Sequence, residues 1–228
     1  MEDENNNIAN HVVISEIRTG ASSANDEFIE LYNPTDQDID LANYSIQRRG
    51  SDSQSFKKKN ITASNVISTT TIPAKGYFLI ASTDYTPACS QFASNNFFIA
   101  WAIPPCFNPV IPDMTYGSPY LSKTGGTVFL TATTTLLTDE TAEDKNIVVD
   151  KLSYGTGDYL FPEINPYLPA PDSGQTLERK ATATSTTATM IFGGEHELLG
   201  NNYDSDNNSF DFILREVGDP QNTSGWVE

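Results

Sequence analysis

Cations are scarce in this 228-residue chain: Lys and Arg total 13 against 30 Asp and Glu, a formal net charge of −17 at pH 7. A chain with that balance repels phosphate backbones and anionic membrane surfaces, so neither nucleic acid nor such a surface is expected as a partner. No segment approaches the ~20 consecutive apolar residues of a membrane span. There are only two histidines, His11 and His196, and two cysteines. No GxSxG, HExxH or glycine-rich phosphate loop occurs. His196 stands in Gly193-Gly-Glu-His-Glu197, which lacks the second histidine a zinc helix needs one turn later, and reads as a loop residue. Carboxylates are so abundant that their abundance singles out no acid–base pair. No window repeats its apolar residues with a period of 3.6.

What the chain has is a series of short apolar runs, 12 Phe and 10 Tyr, and Gly and Pro between the runs (14 and 13). That is too aromatic for a disordered chain. Strands are expected at 11–17, 27–33, 39–41 with 44–48, 77–81, 127–131, 147–154 and 175–179. In Phe28-Ile-Glu-Leu-Tyr32 the alternation puts Ile29 and Leu31 on one face and Phe28, Glu30 and Tyr32 on the other. Such a pattern predicts an all-β sandwich or barrel. Residues 1–10 form a polar lead-in, and 11–228 one domain. Three stretches interrupt the strands. Residues 50–60 read as a polar, basic hairpin tip ending in Lys57, Lys58 and Lys59, with Arg48 and Arg49 just before it. Residues 83–118 are a Pro- and aromatic-rich insertion. Residues 181–190 are a Thr-rich surface linker that crosses extended. The segment 201–224 is read as a C-terminal strap, in which Phe210, Phe212 and Leu214 alternate as in a strand.

Cys89 and Cys106 both lie in the insertion. Two cysteines close in sequence, with no others, read as a local disulfide worth about 3 kcal/mol by loop-closure entropy; the alternative is two unpaired buried thiols. With a disulfide goes an extracellular or cell-surface home, although the acidic start Met1-Glu-Asp-Glu4 has no leader character. The segment Asp204-Ser-Asp206-Asn-Asn208 places oxygen ligands at alternate positions, as short loops that wrap Ca²⁺ do. It departs from the EF-hand pattern, with Ser209 where Gly is wanted and Arg215 where a bidentate Glu is wanted. Asp204, Asp206 and Asn208 are therefore candidate Ca²⁺ ligands, or else the caps of a turn into a last strand. No other cofactor is expected. Tyr77, Phe78, Tyr116, Tyr120, Tyr154, Tyr159, Phe161 and Tyr167 could stack on sugars, or pack in the core.

Seven segments, in order, resemble the lamin-tail domain family: VVISEI at 12–17, NDEFIELYNPTDQDIDLANYSIQ at 25–47, IPAKGYFLIAS at 72–82, LSKTGGTVFLT at 121–131, VVDKLSYG at 148–155, GQTLERK at 174–180, and the ending at 207–224 that carries GDPQNTS. The resemblance implies an immunoglobulin-like β-sandwich of about 8–10 short strands. It also implies a docking or accessory role of the kind found in bacterial surface and secreted proteins, and it carries no catalytic residue onto this chain. No apolar heptad runs through any segment, so the chain has no coiled-coil rod. The expected function is thus a non-enzymatic module for protein contact, adhesion or domain presentation, with an unknown protein or glycan as partner. The alternatives are a module binding carbohydrate or envelope polymer, and an accessory domain of a hydrolase encoded outside this chain.

Overall fold

A computed structural model describes residues 7–21, 23–86, 110–117, 120–164, 168–191 and 193–224. Cys89, Cys106 and Tyr167 lie outside the described residues. Twelve strands form: β1 (Val13–Arg18), β2 (Phe28–Tyr32), β3 (Ile39–Asp40), β4 (Ser45–Gly50), β5 (Phe56–Asn60), β6 (Thr71–Ile72), β7 (Tyr77–Ser82), β8 (Met114–Tyr116), β9 (Gly125–Thr131), β10 (Val148–Gly155), β11 (Thr176–Arg179) and β12 (Phe212–Arg215). Two four-residue helices, α1 (Thr187–Met190) and α2 (Asn208–Asp211), precede β12. Among the described residues no helix is long and apolar enough to cross a membrane.

The strands make a six-stranded sheet in the order β12-β11-β1-β2-β7-β8, a four-stranded sheet in the order β10-β9-β4-β5, and the small pair β3-β6. All pairings are antiparallel except β7 with β8. One apolar cluster joins the two sheets. Ile14, Ile17, Ile29, Leu31, Phe78, Ile80 and Leu177 come from the larger sheet; Ile46, Val128, Leu130 and Leu152 come from the smaller. Face-to-face burial of that kind is a β-sandwich.

The outer face of each sheet is covered too. Phe129 of β9 packs with Leu137 and Ala142 of the excursion after that strand. On the larger sheet, Phe28, Leu79 and Ala81 meet Tyr85 and Val110 at one end, and Val13, Tyr32 and Tyr77 meet Ala9 at the other. Ile29 and Leu31 thus face inward and Phe28, Glu30 and Tyr32 outward, as the alternation predicts. The outward set is buried as well.

Four local expectations change. Residues 56–60 are not part of a hairpin tip but an edge strand, β5, in register with β4. Arg49 is buried, bonded to Ser53 and Asp139 among the rings of Phe56, Tyr159 and Phe161. The insertion at 83–118 supplies a strand, β8, whose Met114 and Tyr116 enter the core. The Thr-rich tract is no extended linker: it turns at 182–185 and forms α1, with Thr186 and Thr189 closing a capping box and Ala181, Ser185 and Met190 buried. Phe210 stands exposed on α2, so the last strand starts only at Phe212. Strands that were not expected take the number above 8–10, namely β5, the two-residue β6 and the three-residue β8.

Candidate functional site

Three neighbouring strands each carry a glutamate between residues that face the core: Glu178 on β11, Glu16 on β1 and Glu30 on β2. Register aligns them, since Glu16 is opposite Glu178 on one side and Glu30 on the other. A β-bulge at Ser15 sets the phase of β1 so that Ile14 and Ile17 stay in the core while Glu16 points outward. All three glutamates are buried.

They are buried because the C-terminal strap crosses over them. After β12 the chain runs back across the outer face, strand by strand. Gly218 lies on Thr176 and Glu16; a Cβ there would come within 2.6 Å of Thr176 Cγ2 and 2.8 Å of Glu16 Oε1. Gln221 N donates to Glu30 Oε2. Asn222 Nδ2 donates to Ile111 O at 2.7 Å, and Thr223 N to Asp113 Oδ2 at 3.1 Å. Asp113 also accepts from Leu79 N at 2.8 Å, so the strap is tied to the far side of the sheet.

The enclosed site holds more negative than positive charge. Arg215 pairs with Glu178 and, at 3.4 Å, with Asp219. Among the described residues it is the one cation paired with the group. Glu30 accepts from Ser15 Oγ at 2.5 Å as well as from Gln221. Asn201 Nδ2 donates to Ser15 Oγ at 3.0 Å and reaches Glu178 Oε1 at 3.4 Å. Glu16 differs. It is 2% exposed and its Oε1 has no hydrogen-bond partner; Thr176 Oγ1, at 0% exposure beside it, has none either. Burial raises the Glu16 carboxyl well above its ordinary value, with Glu178, Asp219 and Glu30 adding to the rise; only the nearby Thr176 hydroxyl lowers it. Glu178 is pushed up to about 8 by burial and by Asp219, against the pull of Arg215. One ligand oxygen each from Glu16, Glu178 and Asp219 lies within 4.8 Å of the others.

The residues expected to hold Ca²⁺ are each engaged by other partners. Asp204 meets Arg179 Nη1 at 3.3 Å and His11 Nε2 at 3.6 Å. Asp206 has a positive φ of 55° and pairs with Lys145 at 3.1 Å. Asn208 is buried, accepting from Ser153 N and donating to Lys151 O and Glu163 Oε2. Asn207 caps α2 by accepting from Ser209 N, and Asp211 accepts from Ser205 and Asn207. The arrangement is that of a capped turn leading into β12. Nothing in the strands marked the glutamates as a group. A glutamate at an alternate strand position carries no local signal of burial, and strand order with the returning strap encloses these three.

Other chemistry is tied down. His196 Nδ1 is 3.0 Å from Ser185 Oγ, which also accepts from Thr182 N, and no carboxylate is bonded to His196 among the described residues to orient its ring. The aromatic set does not make a platform: Tyr77, Phe78, Tyr116, Tyr120 and Tyr154 are buried. Tyr159 and Phe161 pack around Arg49. On the smaller sheet's edge, β5 has no strand beyond it among the described residues. It borders an open cleft of about 440 Å³ lined by Lys58, Lys59, Asn60 and Met114–Gly117 among others. Lys59 Nζ stands over the rings of Tyr116 and Tyr120 at 5.4 and 5.5 Å.

No curated protein matches the chain. A DUF4876 family protein from Bacteroides thetaiotaomicron is among the solved structures it is similar to, at 14% identity and a TM-score of 0.45, over 90% of this chain and 70% of that one. The family model for the lamin tail domain matches residues 6–158, more than half of the chain and the span that supplies β1 to β10, with Glu16 and Glu30 inside it and Glu178, Arg215 and Asp219 beyond it. By that match, and with the sandwich its segments build, the chain belongs to the lamin tail domain family.

Proposed function

We propose that the domain is a non-catalytic contact module that binds an extended, acidic protein segment along β5. The observation that carries this reading is the lysine row Lys57–Lys59 on an edge strand, beside an open cleft, in a chain of net charge −17. An unpaired edge offers main-chain hydrogen bonds to an added strand. Lysines on such an edge deter indiscriminate pairing and leave acidic strands as the favoured ones. At physiological salt the screening length is about 8 Å, so the lysines at the contact outweigh the distant carboxylates. Family membership supports a non-enzymatic role. Burial of Tyr77, Phe78, Tyr116, Tyr120 and Tyr154 favours this reading over sugar stacking.

The test is titration of the purified domain with a synthetic peptide of alternating Glu and Val. Binding should protect the amides of β5 from hydrogen exchange, and Lys57→Glu with Lys59→Glu should abolish it. No binding, or binding that survives the charge reversal, overturns the assignment of β5. Turnover of polysaccharide, ester or nucleic-acid substrates by the purified chain overturns the non-catalytic reading. We also infer that the module belongs to a secreted or cell-surface protein, from the two cysteines of the insertion. Thiol titration should find no free thiol before reduction and two after it; two before reduction would remove that inference.

A further inference from the structure

We propose that Glu16, Glu178 and Asp219 form a Ca²⁺ site under the C-terminal strap, and that the ion fastens the strap to the six-stranded sheet. This goes beyond the contact function proposed for β5, which lies at the edge of the other sheet.

Each feature of the site fits a hard divalent cation. The donors are carboxylate oxygens, which suit Ca²⁺ or Mg²⁺ and not the softer metals. Oxygens that lie within 4.8 Å of one another can share one ion held at roughly 2.3–2.6 Å, and three carboxylates on separate segments suit the adaptable coordination of Ca²⁺ better than the strict octahedron of Mg²⁺. Glu16 presents a buried oxygen, Oε1, with no hydrogen-bond partner of good geometry. A buried carboxylate without a partner is costly, and a cation held by several carboxylates is the usual remedy. Arg215 does not serve Glu16: its guanidinium is directed to Glu178 and Asp219. Solvent reaches the site through Asp219, whose side chain is 48% exposed. The ligands come from β1, β11 and the strap, so an ion bound by all three would join the first strand of the domain to its last segment.

Gly218 belongs to the same arrangement. The strap passes so close to Thr176 and Glu16 that a Cβ would intrude between them. The glycine lets Asp219 descend to the level of the glutamates.

The probe is Ca²⁺ itself, added to the purified domain at pH 7.5 after chelator treatment, with the thermal midpoint and the heat of binding as readouts. Ca²⁺ at a hundredfold excess over its Kd should raise the midpoint by roughly 5 °C or more. Mg²⁺ at the same concentration should do much less. Glu16→Gln keeps the shape of the side chain and removes one repelling charge. It should melt higher than the parent in chelator and lose the Ca²⁺ shift. Asp219→Asn, at the exposed rim, should fold normally and weaken Ca²⁺ binding at least tenfold. Asp206→Ala, in the capped turn, should leave the Ca²⁺ shift unchanged. An absent shift and absent heat in the parent would overturn the proposal and show that the carboxylates hold protons instead. A shift that persists in both Glu16→Gln and Asp219→Asn, or that Asp206→Ala abolishes, would place the ion elsewhere and overturn it equally. None of these outcomes depends on peptide binding at β5.

Discussion

Arg179 and Glu178 are adjacent on β11 and point to opposite faces of the same sheet, each into a group of buried charge. On the inner side, Arg179 is fully enclosed and bonded on every branch: Nε to Ile14 O at 2.9 Å, Nη1 to Tyr203 O at 2.9 Å, and Nη2 to Asp150 Oδ2 at 2.7 Å. Its guanidinium also lies over the Phe212 ring at 4.6 Å. Asp150 in turn accepts from Ile14 N and Lys151 N. That pair ties the two sheets together, because Asp150 comes from β10 of the smaller sheet. On the outer side, Glu178 shares one arginine with Asp219, while Glu16 keeps an oxygen with no partner. The inner group is as dry as a core, and the outer one opens to solvent only at Asp219. One is complete within the chain, and such groups hold structure. The other has more acceptors than donors, and a surplus of that kind invites something from outside.

The largest effect should come from breaking the complete group. Arg179→Met would leave Asp150 buried without its cation, and should cost about 3–5 kcal/mol in denaturant unfolding. A loss below ~1 kcal/mol would show that Asp150 simply takes up a proton, and the contrast between the two groups would shrink.

A smaller effect separates the two groups by pH, with chelator present throughout. Glu178 rises from its ordinary 4.5 to about 8 on folding, facing Glu16 on β1, Glu30 on β2, Asp219 on the strap and Arg215 on β12. The folded state therefore holds this proton more tightly than the unfolded chain. Its contribution is complete below about pH 4.5 and is lost as pH rises through about 8. Burial raises Asp150 too, so both groups give a slope of the same sign. Glu16→Gln removes repulsion from the outer group alone and should flatten the fall of the melting midpoint between pH 5 and 8. An unchanged slope would assign the dependence to carboxyls outside this group, among them Asp150, Glu27 and Asp113, which burial also raises.

The fold was legible from one end of the chain to the other because its signals are local. Apolar runs in VVISEI, EFIELY and GYFLIA marked the strands, alternation in EFIELY fixed its inward face, and Gly, Pro and Asn marked the turns, whereas the bulge at Ser15 that brings Ile14 and Ile17 to one face left no local signal. Where a segment had little local signal, the reading was weakest. Lys57–Lys59 look like solvated residues of a loop, yet Phe56 and pairing with β4 hold them in a strand. The Thr-rich tract has low helix propensity, yet the Thr186 cap and the burial of Met190 give it a helical turn. Likewise Asp204, Asp206 and Asn208 have the composition of a ligand loop, but their partners are His11, Arg179, Lys145, Ser153, Lys151 and Glu163, all far away in sequence.

By itself, then, the sequence determined the class of fold, the inward face of Phe28–Tyr32 and the family, since all three rest on residue order within short segments. Tertiary structure alone decided which carboxylates meet. A glutamate at an alternate strand position is solvated or buried according to what crosses above it, and here the cover is a strap some 40 residues after β11 begins, reaching Glu16 from about 200 residues away. Strand pairing then sets Glu178, Glu16 and Glu30 side by side at the spacing of neighbouring strands, about 4.8 Å, which is close enough for their charges to be felt as one.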